Sequence, residues 1–276
     1  MIRISIALTI LVSTAAAAAA PHEESESAPA NGAEKAEKYR RNAAQDAAAS
    51  GALSAFSVSP AMPRAAAAVA LAGYDGAARG FRARGAADGR LLGFLAARVE
   101  YEHGLGNGPS DRVSLGLRAK LLNQAQHGID LGAMLFYQPR DFREEGNVVG
   151  GLLLARRFDR LTFVLNPLVG SDPEGDDQSF DLRFAGLYKT YSWLVLGVDG
   201  HGRYNLSNDQ KRNGNWGIDW EAQAGASAAF CQGPLLLTLL VGPSLLQRSY
   251  QGLAGLPGER ELRSGLLAMA GAGGTF

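Results

Sequence analysis

From about residue 95 to its end, this chain alternates apolar and polar side chains in segments of about ten residues. A period of two is the signature of a β-strand with two unlike faces. Val113, Leu115, Leu117, Ala119 and Leu121 fall on one face, and Arg112, Ser114, Gly116, Arg118 and Lys120 on the other. Ile129, Leu131, Ala133, Leu135 and Tyr137 oppose Asp130, Gly132 and Met134. The same split separates Leu95, Ala97, Val99 and Tyr101 from Arg98, Glu100 and Glu102. It separates Phe180, Leu182 and Phe184 from Asp181 and Arg183, and Leu194, Leu196 and Val198 from Asp199, His201 and Arg203. Trp216, Ile218, Trp220 and Ala222 oppose Asp219 and Glu221.

Less regular segments extend the series. Val148–Arg157 and Leu235–Leu246 are apolar on both faces in parts. Ala65–Tyr74 is mostly alanine, Phe81–Leu91 sets Arg82, Arg84, Asp88 and Arg90 on one face, and Pro167 counts against a regular strand over Leu161–Gly170. The expected total is about twelve strands. Short connections at Leu92–Phe94, Asn123–Gly128, Phe158–Arg160, Thr190–Ser192 and Cys231–Pro234 alternate with longer polar loops, and an even count returns both termini to one side.

Period two does not say which face is wet, since a soluble sandwich reads the same way. Three features favour lipid outside. Aromatic residues gather near strand ends: Tyr74, Tyr101, Tyr137, Phe180, Tyr204 and Trp216 on the loop side, and Phe158, Tyr188 and Phe276 on the turn side. The strands have the length that crosses hydrocarbon with tilt. Loop lengths alternate between long and short, as in outer-membrane barrels.

The last segment places Leu262, Ser264, Leu266, Ala268, Ala270, Ala272, Gly274 and Phe276 on one face. With this terminal phenylalanine, residues from about 65 to 276 resemble a Gram-negative outer-membrane β-barrel protein, porin-like. The resemblance implies an all-β fold, a closed antiparallel transmembrane β-barrel. It also implies outer-membrane lipid and the assembly machinery as partners, the latter through the strand ending at Phe276.

Ahead of the barrel, Met1 to about Ala20 reads as a cleaved signal peptide, with Arg3 before an apolar run over Ile4–Val12 and alanines after it. The expected organisation is signal peptide 1–20, low-complexity periplasmic tail 21–63 and barrel 64–276. Pro21–Gly32 has a disordered composition, and Ala33–Ala49 a helix-forming one without an apolar stripe. A periplasmic linker is the favoured reading of this tail, and a helix inside the pore the competing one.

The polar faces supply the candidate lumen: Arg98, Glu100, Arg112, Arg118, Lys120, Asp130, Asp181, Arg183, Asp199, His201, Arg203, Asp219 and Glu221. Counted over every polar face, with Arg82, Arg84, Arg90, Arg156, Arg160, Lys189 and Arg263 added to the bases and Asp88, Glu102 and Glu261 to the acids, thirteen basic groups stand against nine acids, which favours anions in a pore. Twelve strands lie between a filled eight-stranded barrel and an open sixteen-stranded porin. The expected function is therefore a narrow channel for small solutes with weak anion preference. The alternatives are a closed structural or surface-interaction barrel and, least favoured, an enzyme in the barrel wall.

No catalytic residue, cofactor or metal site is assigned. A Gly-x-Ser-x-Gly elbow is missing, and His22, His103, His127 and His201 read as bystanders or lumen hydrogen-bonders. Asp172, Glu174, Asp176 and Asp177 lack the spacing of a calcium loop. Equal numbers of basic and acidic residues, 27 of each, argue against a nucleic-acid partner. The single cysteine, Cys231, excludes an internal disulfide framework.

Overall fold

The computed structural model describes residues 48, 54–104, 111–139, 146–175, 177–207, 216–250 and 258–276. The signal peptide expected at 1–20, the tail up to 47 with His22, Asp176 and most of the longer loops lie outside the described residues.

Strand follows strand along the chain: β1 (Ala66–Asp75), β2 (Gly80–Leu92), β3 (Leu95–His103), β4 (Asp111–Leu122), β5 (Asp130–Gln138) and β6 (Asn147–Phe158). The series continues through β7 (Leu161–Ser171), β8 (Gln178–Tyr191), β9 (Leu194–Ser207), β10 (Trp216–Gln232), β11 (Leu235–Tyr250) and β12 (Glu259–Thr275). Each pairs antiparallel with its neighbours in sequence, and β1 pairs with β12, so the sheet is a closed barrel of twelve strands. Closure satisfies every strand edge, the condition for a sheet to stand in hydrocarbon.

Phe276 takes part in that closure. Its N–H donates to the Ala66 carbonyl at 2.8 Å, and its own carbonyl accepts from Ala66 N–H at 3.1 Å. Both ends of the barrel sequence therefore sit on the side of the short turns. One of those turns, after β4, is a single helical turn, α1 (Gln124–His127). Asn123 caps it by accepting from Ala125 N–H, and Gly128 ends it with φ of 74°.

The outer face is apolar. Leu115, Leu117, Leu135, Leu152, Phe163, Leu165, Val198, Leu237, Leu239 and Leu266 are all exposed. So are Tyr74, Tyr137 and Tyr204 toward one rim, and Phe158, Tyr188, Trp193 and Phe276 toward the other. A closed sheet with this exterior and a charged interior is a transmembrane barrel; in water it would expose an apolar belt of a kind that soluble monomers avoid.

Two expectations need correction. Pro167 does not break β7: its missing donor falls on the β6 side, where the register skips from Gly151–Leu168 to Leu154–Leu165. The pairing with β8 runs through, with Pro167 opposite Leu182. Tyr101 is not part of the loop-side girdle but is buried with Ala83 and Ala87. It lies opposite Gly85, whose missing side chain leaves room for the ring.

Candidate functional site

Alternation turns charged side chains of neighbouring strands inward at the same height, and the register decides which of them meet. Arg98 on β3 lies opposite Asp88 on β2, and its Nη1 is 2.6 Å from the carboxylate. Arg84 and Glu102, also opposite, form an ion pair. Arg203 on β9 sits between Asp181 on β8 and Glu221 on β10, at 3.8 and 4.0 Å. Within single strands, Arg98 reaches Glu100 at 2.8 Å, and Arg183 reaches Asp181 at 2.9 Å.

Other pairs cross the lumen. Arg183 on β8 contacts Glu100 on β3 at 3.1 Å. Arg82 on β2 bridges Glu221 on β10 at 2.9 Å and Asp75 at the end of β1 at 2.7 Å. Gln223 on β10 donates to Asp75 at 2.6 Å. Side chains that meet across a barrel leave little bore between them. Apart from Arg84 and Arg203, which keep about a tenth of their surface, these charges are buried, so desolvation offsets much of what any single pair gains. Sharing carboxylates among several guanidinium groups offsets part of that cost, although among the described residues Arg82 Nε, Asp181 Oδ1 and Arg203 Nε keep no hydrogen bond.

Beside this network lies a piece of the chain itself. Ser54 to Ala61, the end of the segment read as periplasmic tail, lies within the barrel without joining the sheet. Three inward side chains hold its main chain. Asp199 on β9 accepts from Ala55 N–H at 2.5 Å, Phe56 N–H at 3.1 Å and the Ser54 hydroxyl at 2.5 Å. Asn166 on β7 accepts from Val58 N–H at 2.6 Å and donates to the Val58 carbonyl at 2.8 Å, as a neighbouring strand would. Arg118 on β4 donates to the carbonyls of Ser59 and Ala61, both at 2.8 Å, while its Nε holds Asp88.

One side chain of the segment is gripped as well. The Phe56 ring stacks on His201 at 4.7 Å between centroids, and the Arg84 guanidinium lies 4.5 Å from its centre. Toward the turn end the lumen wall becomes apolar: Val69, Leu71, Leu187, Val195, Leu236, Leu240, Leu267 and Met269 form a cluster that includes Phe56 and Ala48. A small cavity of about 20 Å³ remains beside Phe56, bounded by Leu71, Arg84, Glu100 and Arg183.

Of the residues that the sequence offers for the lumen, Arg98, Glu100, Arg118, Asp181, Arg183, Asp199, His201 and Glu221 are buried in this assembly. Arg203 borders it, and Arg112 is a third exposed near Glu102. Lys120 and Asp130 stand apart as a part-exposed pair at 3.0 Å beside the α1 turn. Asp219 also stands apart, accepting from Ser249 and Gln247 toward the loop end.

Sequence reading did not single out Asp75, Asn166, Gln223 or the segment 54–61. Asp75 follows a mostly alanine segment with no clear alternation, Asn166 shares a strand with Pro167, and an unpatterned segment gives no period to read. His201 has Gln223 at 3.1 Å and Asp181 at 3.4 Å, with Phe56 against its ring, the surroundings of a packed lumen histidine. Among the described residues no group of histidine, cysteine and carboxylates has metal-holding geometry. Asp172 closes its own loop by accepting from Asp177 N–H at 3.1 Å.

No protein-family model and no curated protein matches the chain. Among solved structures it is similar to a NanC porin, with 11% identity, 76% of this chain and 99% of the porin covered, and a TM-score of 0.48. It is similar to an outer membrane channel from Pseudomonas putida F1, with 12% identity, 79% and 97% coverage and a TM-score of 0.48. A bacterial polysaccharide outer membrane secretin aligns with 10% identity, 78% and 100% coverage and a TM-score of 0.33.

Proposed function

We propose that the protein is an exported, porin-like channel of a Gram-negative outer membrane, and that residues 54–61 hold it closed. The observation that carries this reading is the contrast between wall and obstacle. The wall is a continuous hydrogen-bonded sheet. The obstacle is a short irregular segment, fixed by side chains and free of the ladder, so it can leave without unmaking the barrel. Small solutes would pass along the charged side of the lumen. The network pairs most of its carboxylates with arginine, and Arg112, a third exposed, is its most open cation, which supports a weak preference for anions. The exposed Phe276 at the closing seam suits a terminal strand read by the assembly machinery.

Planar-bilayer recording tests the channel. The native protein should conduct rarely, whereas Val58→Pro, which removes the N–H held by Asn166, should conduct steadily. Its reversal potential in a salt gradient should carry the sign for anions. A Val58→Pro protein no more conductive than bare lipid would remove the channel. The second reading, a closed structural barrel, would then stand. One observation favours it: Arg183–Glu100 and Arg82–Glu221 bridge the lumen independently of the segment.

A further inference from the structure

Asp199, Asn166 and Arg118 come from three strands, are almost wholly buried, and direct their polar atoms at the main chain of residues 55–61. A plug that only had to fill space would need apolar packing. Here the contacts are those a β-strand makes with its neighbour, supplied by side chains. Main-chain groups carry no sequence, so the grip accepts any extended backbone of the right course. Phe56 is the one side chain with a shaped seat, between His201 and Arg84.

The fit to the resident segment is also incomplete. Asp199 Oδ1 and Arg118 Nη2 are buried without a hydrogen-bond partner among the described residues. An unpartnered buried polar atom is costly, so spare capacity on two of the three clamping residues points to a ligand richer in main-chain donors and acceptors than this one. Asp199 has a further peculiarity: its described hydrogen-bond partners all belong to the segment, so a polypeptide main chain is what satisfies this buried carboxylate.

From this geometry we infer that the lumen is a binding site for an extended polypeptide bearing an aromatic residue, and that residues 54–61 occupy it in cis. A second chain with small residues around one aromatic ring fits the same clamps. It would come from the end where β1 begins, the side from which the resident segment runs into the sheet. This inference does not depend on solute conduction. Tethering gives the resident segment an effective concentration in the millimolar range, so the native lumen excludes competitors at lower concentration.

The test uses the full chain carrying Phe56→Ala and Val58→Pro, which weakens the resident segment, in detergent micelles. The probe is a fluorescent synthetic peptide copying Ser54–Pro63. Anisotropy should show saturable binding to this variant at least about tenfold tighter than to the native protein. Adding Asn166→Ala to the variant should lose about tenfold. A peptide with alanine in place of Val58 and Ser59 should bind within about threefold of the parent, and one with proline in place of Val58 should not bind. Barrel integrity is read independently by heat-modifiable gel mobility. A folded variant that does not bind the peptide, or that binds the proline peptide equally well, overturns the proposal whatever the conductance shows.

Discussion

Asp88 anchors two guanidinium groups at once, Arg98 Nη1 at 2.6 Å and Arg118 Nε at 2.8 Å, and all three side chains are buried. Removing the carboxylate leaves two buried cations short of a partner. Truncating one member of a buried ionic cluster typically costs about 3–5 kcal/mol. Asp88→Ala should therefore lower the unfolding free energy, followed by urea titration in phospholipid vesicles, by that amount. The Lys120–Asp130 pair is a contrast, because both side chains are about a quarter exposed. Asp130→Ala should cost less than about 1 kcal/mol in the same assay. Equal costs at the two sites would mean that the lumen around Asp88 is as wet as the rim. Period-two alternation in β3, β8 and β9 tells which charges turn inward, but it carries nothing about the partner that each one meets. Arg82 and Glu221 are 139 residues apart, and only the closed sheet brings them to 2.9 Å.

The closing seam is where an element departs furthest from the ideal pattern, and the reason is steric. On β12 the inward positions include Gly265, Gly271 and Gly273, and β1 presents Gly73 to the same seam. A Cβ placed on Gly271 would run into the backbone of Leu71, with its Cα at 2.7 Å, and one on Gly73 into the backbone of Met269, with its Cα also at 2.7 Å. The two strands approach so closely there that each inward side chain, Leu71 opposite Gly271 and Met269 opposite Gly73, needs a glycine across the seam. What reads in the sequence as a weak first strand and a diluted last one is the composition that lets the barrel shut. Gly271→Val should thus cost about 1–3 kcal/mol by forced backbone displacement, with a matching drop in folded yield on gels. Ala270→Val and Ala272→Val, whose side chains face outward and are exposed, should be near neutral. If Gly271→Val folded as well as they do, the seam would not be sterically closed. Proline is tolerated on similar grounds. Pro243 sits where the β10–β11 register skips from Gln223–Ser244 to Ala226–Val241, while its pairing with Leu266 on β12 persists.

At the scale of the molecule the decisive question is which solvent bathes the outer face, and alternation alone leaves it open. Closure and side-chain placement together answer it: carboxylates and guanidinium groups are sequestered within the sheet while leucine, valine and tyrosine stand outside. In water that arrangement would be inverted. The segment 54–61 could not be placed from sequence for a related reason, since its position depends on a lumen that exists only once twelve strands have closed. Depth gives a direct test of the lipid assignment. Along β11 the exposed apolar residues run from Leu235 at the turn end to Leu245, with Leu239 near the middle of that band. An arginine at the bilayer midplane of a membrane barrel costs about 2–4 kcal/mol, falling to about 0–1 near the interface. Leu239→Arg should therefore destabilise the barrel in vesicles by about 2–4 kcal/mol, and Leu235→Arg by no more than about 1. On a water-exposed surface both substitutions would be close to neutral, and a flat profile from Leu235 to Leu239 would place the outer face in water.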